Sequence, residues 1–260
     1  MSGGAAQHAG WYGKLPSLGD FAQRRLPAAF VDVWDDWLGS ELARVRMRDD
    51  GWLQAYLSSP VWRFVLLPGA LSPTASAWSG VLMPSVDKVG RYFPLTLACE
   101  QPSLPAEAKD LDALLAWLHD LDDIAADALH EDWPLDQLEH TLLQQAMPQP
   151  RPFDPEDTLI DLLPASASEA SARLSDAFDA LHVQGGPGVM LAAPRRHELA
   201  RTLALQVAQQ RRGLALWWCD APDDARVMIS RGLPTHRWFD ALFGLQTATS
   251  SQDEPSYNPA

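Results

Sequence analysis

The chain is poor in cysteine. Cys99 and Cys219 are the only two, too few for a secreted disulfide scaffold, and their spacing fits neither a zinc ribbon nor a CxxC redox motif. They read as two buried thiols of a reducing compartment. Apolar runs approaching the ~20 residues of a membrane span are missing. The start, Met1 to Ala9, lacks the basic and apolar regions of a signal peptide. The expected location is therefore cytoplasmic, without membrane insertion. Positive charge is scarce as well. Residues 100–140 hold twelve carboxylates against Lys109 alone, and the whole chain carries a net charge of -14. Neutralising phosphates requires basic patches, so this balance argues against nucleic acid and anionic membrane as partners.

Catalytic signatures are equally sparse. Gly13-Lys14 is followed by Leu15-Pro16, whereas a phosphate loop needs GxxxxGK(S/T). No GxSxG nucleophile elbow occurs. The seven histidines form no HExxH. His119 and His130 fall three helical turns apart, roughly 16 Å along the axis, too far to hold one metal. Asp35 and Asp36 lie between Trp34 and Trp37 on the solvent side of a helix and make no acid/base pair. The residues thus predict no catalytic site, no metal and no cofactor.

What is abundant is tryptophan and periodic apolar sequence. Of eleven tryptophans, seven lie in the first 120 residues. Phe30, Val33, Trp34, Trp37, Leu38, Leu42 and Val45 recur at helical spacing from Pro27 to about Arg48, which assigns these indoles to a core stripe. A short helix follows at Gly51 to Leu57. Val61 to Leu67, Ala77 to Met83 and Arg91 to Cys99 read as strands of a meander, with Gly10 to Leu15 a strand before them. Leu111, Leu114, Leu115, Leu118, Leu121, Ala125 and Leu129 predict a helix whose outer face carries the acidic belt. Asp132 is the expected N-cap of another, with Pro134 in its first turn. Beyond Thr158, Ser166 and Glu169 have capping-box spacing for a helix ending near His182. Strands at 188–193, 214–219 and 226–230 alternate with helices at 194–212 and 235–243. The fold class expected is α/β, a three-layer αβα sandwich with a mixed, partly antiparallel sheet to which both halves contribute.

The order of short motifs is more specific than any of them singly. Gly13-Lys14-Leu15-Pro16-Ser17-Leu18-Gly19-Asp20-Phe21 is followed by Arg24-Arg25-Leu26-Pro27, the Trp34 to Leu38 helix segment and Trp62-Arg63-Phe64. Pro68-Gly69, Trp78-Ser79-Gly80-Val81, Met83-Pro84-Ser85-Val86-Asp87, Val89-Gly90-Arg91 and Phe93-Pro94-Leu95 complete it. This order, dense over residues 10–100, resembles the TagF family, also called ImpM, which accompanies bacterial type VI secretion systems. The resemblance implies a three-layer αβα protein that represses type VI secretion after translation, without catalytic activity. It implies as partner a type VI secretion component, the forkhead-associated scaffold protein. Some relatives carry a fused phosphatase domain for which this chain has no room.

Five segments are expected: a flexible start at 1–9, an N-terminal domain at 10–146, a proline-rich linker at 147–158, a C-terminal α/β part at 159–246 packed on the first, and a frayed tail at 247–260. Candidate partner-binding or family-motif residues are Gly13, Lys14, Leu15, Pro16, Gly19, Asp20, Phe21, Arg24, Ser85, Asp87, Gly90 and Arg91. Glycines here suit tight turns. Asp20 is placed to bond turn amides or Arg24, and Asp87 to pair with Arg91. The rival reading is a small-ligand hydrolase or transferase with Asp20, Ser85, Asp87 and Arg91 gathered in one pocket. That reading gains if the four side chains converge on one concave, partly buried site with perturbed carboxylates, and loses if they are dispersed into turn hydrogen bonds.

Overall fold

Helix α1 (Ala28–Arg48) forms where the stripe predicts it, with the Pro27 carbonyl accepting from Phe30 and Val31 at its first turn. Phe30, Trp34, Trp37, Leu38, Leu42 and Val45 are buried, and Val33 is half-buried. The computed structural model describes residues 6–48, 50–73, 75–101, 104–149, 169–220 and 225–245. Among these, one sheet has the order β2-β1-β5-β4-β3-β7-β8-β6. Its strands are β1 (Gly10–Gly13), β2 (Ala22–Arg24), β3 (Trp62–Leu66), β4 (Ala77–Met83), β5 (Leu95–Gln101), β6 (Gly188–Ala192), β7 (Leu214–Cys219) and β8 (Arg226–Arg231). β3 pairs with β7, so strands from both halves of the chain share the sheet.

Alternation along β3 divides the core into two layers. Trp62, Phe64 and Leu66 face α1, α2 (Trp52–Leu57) and α7 (Arg237–Leu242), with Tyr56, Phe239 and Leu242 among their buried neighbours. Val65 and Leu67 belong to the opposite layer, under α3 (Ala108–His130), α4 (Leu135–Gln144), α5 (Glu169–Gln184) and α6 (Arg196–Ala208). This is the αβα sandwich. The layer under α1 is aromatic: Trp34 lies 4.8–6.1 Å from the ring centroids of Phe30, Trp37, Phe64 and Trp217. Its Nε1 donates to Thr96 Oγ1 at 2.8 Å. Burying an indole with its N–H satisfied secures both its apolar area and its one polar atom.

Several expectations need adjustment. Every pairing in the sheet is antiparallel rather than mixed. The helices connect strands in ways that reverse direction, which helix and strand order alone does not disclose. The third meander strand begins at Leu95, because Tyr92 forms only an isolated bridge to Val86. Asp132 is not an N-cap. Its φ of +49° closes the end of α3, where Trp133 N donates to Ala128 O, and Pro134 caps α4. The acidic face of α3 is not wholly solvated, since Asp122 turns inward to Arg63. At the start, Gln7 accepts from Met147 N, His8 bridges Ala146 and Ala9 is buried. Residues 1–5, most of the proline-rich stretch 147–158, Ser166 of the capping box and the tail 247–260 lie outside the described residues.

Candidate functional site

The antiparallel registers bring the end of β1, the end of β4 and the starts of β2, β3 and β5 to one rim of the sheet. The motif segments Lys14–Phe21 and Pro84–Arg91 therefore leave the sheet side by side. Gly13 makes the exit possible. Its φ is +131°, and a Cβ there would meet the Pro94 carbonyl oxygen at 2.1 Å. Only glycine tolerates that backbone and that approach.

The turn sends Lys14 inward, where its side chain is 3% exposed and Nζ donates to Asp87 Oδ2 at 2.7 Å. Nζ also lies 4.7 Å from the centroid of the Phe21 ring, within cation–π range. The Asp87 carboxylate is fully covered and accepts three further bonds: from Val89 N (3.0 Å), Arg91 N (2.8 Å) and Arg91 Nε (2.7 Å). Burial pushes its carboxyl up, but the bonds from Lys14, Arg91 and Val89 prevail and hold it well below the usual carboxylate range. Ser85 Oγ donates to the Lys14 carbonyl at 2.7 Å, and the Tyr56 hydroxyl binds both Ser85 N and Ser85 O. Lys88 N donates to Leu18 O at 3.2 Å. The Arg91 guanidinium also donates to the Gly19 carbonyl. Two segments more than seventy residues apart in sequence are thus fastened into one unit.

The outer surface of this unit is mixed. Phe21 is 44% exposed although it stacks on Tyr12 and sits edge-on to Phe93. Val89 is 67% exposed at the tip of the Asp87–Arg91 turn, beside exposed Lys88. Asp20 points to solvent, bonded to Phe21 N and 3.7 Å from Arg91. The Asp20–Arg24 pairing is not made: Arg24 reaches only the Gln23 carbonyl. Leu15 is buried, Pro16 is half-buried, and Gly90 has a φ of +81° in the tight turn after Asp87. Of the twelve expected residues, Arg24 alone stands away from the fastened unit.

The polar groups of this arrangement are bonded within the protein. Ser85 donates its hydroxyl to a backbone carbonyl, and the acceptor positions of Asp87 are filled by Lys14, Arg91 and backbone amides. Asp87 and Arg91 bond one another, while Ser85 is engaged by the Lys14 carbonyl and Asp20 by the Phe21 N–H, so the four groups are taken up largely in turn hydrogen bonds. Among the described residues no group of three His, Cys, Asp or Glu can hold a metal ion, and no helix is long and apolar enough to cross a membrane. Sequence reading missed the support given by Tyr56 and the exposure of Val89. It also passed over Arg63, although an arginine within the apolar run Val61–Leu67 is itself a signal of a buried charged partner.

Comparison with known proteins places the chain in a family. The family described as "TagF N-terminal domain, Type VI secretion system-associated" matches residues 10–145. The crystal structure of PA0076 from Pseudomonas aeruginosa PAO1 is similar over 97% of this chain and 99% of that chain, with 30% identity and a TM-score of 0.60. No curated protein matches.

Proposed function

The chain belongs to the TagF family of type VI secretion system-associated proteins, and from that membership we propose that it is a non-enzymatic, cytoplasmic repressor of type VI secretion. It acts after translation by binding a component of the system, the forkhead-associated scaffold protein, and so withholding that component from the apparatus. The observation that carries this reading is the fastened pair of motif segments. A buried Lys14–Asp87 bridge is costly to break, because removing one partner strands the other charge, and so it ties the two segments together. Around it Phe21, Val89, Lys88 and Asp20 stand outward on a rigid base, an arrangement suited to recognition. The internal bonding of Ser85 and Asp87 supports a binding surface over a catalytic pocket.

The test uses surface charges that leave the base intact. Arg91 is unsuitable, because it bonds Asp87 and Gly19. Asp20→Lys and Val89→Glu alter only exposed side chains, and such changes shift stability by about 0.5 kcal/mol or less. In a strain lacking this gene, restoring the wild type should suppress secretion of a type VI effector. Restoring the double variant should fail to suppress it, with an unchanged thermal melt. Full suppression by the folded variant would remove this rim as the contact surface. Absence of suppression by the wild type would remove the repressor reading.

A further inference from the structure

On the same rim, three strand positions from β1 and so about 14 Å away, a second group of charges surrounds a cavity of about 280 Å³. It lies on the α3 side, between the start of β3, the end of β7 and the start of α6. Arg63, His119, Arg195, Arg196 and Asp220 supply its polar wall. We infer that this cavity binds the oxyanion group of a small molecule, a phosphate or a carboxylate, between Arg195 and Arg63, with Asp220 as the built-in competitor that the ligand displaces.

Arg63 is the anchor. Its side chain is 4% exposed, and its guanidinium reaches Asp122 (2.6 Å), His119 Nδ1 (2.9 Å) and the carboxylate of Asp220. Its Nε is nevertheless buried with no acceptor among the described residues. An unpaired buried donor in a native protein calls for an explanation, and a ligand or ordered water is the usual one. Asp122 is a deep partner, held in place between α3 and β3. Asp220 is a different kind of partner: its side chain is 59% exposed and stands at the cavity wall. A carboxylate in that position can be exchanged for an oxyanion from solution at small structural cost.

The remaining cations favour the same occupant. Arg196 is paired with Asp112 at 2.9 Å, whereas the exposed Arg195 has no side-chain partner among the described residues and is free to turn to a ligand. Arg195 is also the cap residue of α6, where its N–H donates to the Glu198 carboxylate at 3.1 Å, so the side chain of Arg195, not the helix end, is left for the ligand. Arg63 is matched by Asp122 and Asp220 and Arg196 by Asp112, so the exposed Arg195 is the cation of this cavity left for an anion from solution. A concave volume of this size fits a small molecule better than a protein surface.

The experiment follows His119 by its ring resonances in two-dimensional NMR while inorganic phosphate, and separately succinate, is added at constant ionic strength set by chloride. Saturable movement of the His119 signals is expected with one or both anions, and the stronger response identifies phosphate or carboxylate as the preferred group. Asp220→Asn should tighten binding about tenfold by removing the competitor, and Arg195→Ala should weaken it about tenfold. Both residues are exposed enough for the variants to fold, which a melting curve checks. No movement of His119 up to tens of millimolar anion, in wild type and Asp220→Asn alike, would overturn the inference. So would an equal response to chloride, or binding indifferent to Arg195→Ala.

Discussion

Replacing Trp34 by alanine tests whether the tryptophan-rich stripe is the keystone of the αβα packing or the lining of a ligand groove. Trp34 is 0% exposed and touches four aromatic rings from α1, β3 and β7. Truncating a buried aromatic side chain to alanine costs about 3–5 kcal/mol, because the cavity left behind collapses only in part. Loss of the bond to Thr96 contributes about 1 kcal/mol within that range. A loss near ~4 kcal/mol is a large share of the ~5–15 kcal/mol that holds a typical domain. For a chain of this size each kcal/mol lowers the melting temperature by about 2–4 °C, so Trp34→Ala should lower it by about 8–16 °C. Trp34→Phe keeps most of the ring contacts and should cost about 1–2 kcal/mol. Far-ultraviolet circular dichroism is the suitable probe, since eleven tryptophans make fluorescence a composite signal. A drop of less than about 3 °C for Trp34→Ala would refute the packing argument and favour a groove.

Two further outcomes bear on the rim. Gly13→Ala combines left-handed backbone strain with a clash against the Pro94 carbonyl and should cost roughly 2–5 kcal/mol, whereas Gly19→Ala, with nothing within 4 Å of the new Cβ, should be nearly silent in the same denaturation assay. The depressed Asp87 carboxyl makes a stabilising contribution present above the unfolded-state value of about 3.9 and lost as pH falls below it. The urea midpoints of wild type and Asp87→Asn should therefore differ most at neutral pH, and the gap should narrow steadily as pH falls from about 4 towards 2 without fully closing there, because the folded-state carboxyl titrates lower still. A constant gap across that range would contradict the hydrogen-bond inventory.

Features governed by local periodicity were legible before the structure. The Phe30–Val45 stripe has a spacing that only a helix can place on one face, and the β4 boundaries fall where turn residues flank the apolar run. The αβα layering followed from strands alternating with long amphipathic helices. Features set by distant pairing were not legible. β2 is three residues long and largely exposed, so it has no apolar pattern and exists because β1 offers it an edge. Strand direction depends on where each connection returns, which periodicity does not encode. At the rim, the sequence suggested Asp87 with Arg91, four residues apart, and that bond is present. It also suggested Asp20 with Arg24, the same separation, and that bond is absent, because Arg24 is the β2 residue opposite Trp11 and its guanidinium donates to the Gln23 carbonyl. The Lys14–Asp87 bridge joins residues 73 apart and becomes visible only once β1, β4 and β5 are in register.

Whether the fastened Lys14–Phe21 and Pro84–Arg91 segments engage the secretion system is decided by affinity capture with the full chain. The capture is made from cells carrying the secretion cluster, comparing wild type with Asp20→Lys/Val89→Glu and identifying the recovered proteins by mass spectrometry. The wild type is expected to recover the forkhead-associated scaffold protein. The variant should recover about thirtyfold less, the equivalent of losing one ~2 kcal/mol anchor, at an unchanged melting temperature. Equal recovery by both proteins, or recovery of no secretion-system component by the wild type, would contradict the assignment of this rim as the contact surface.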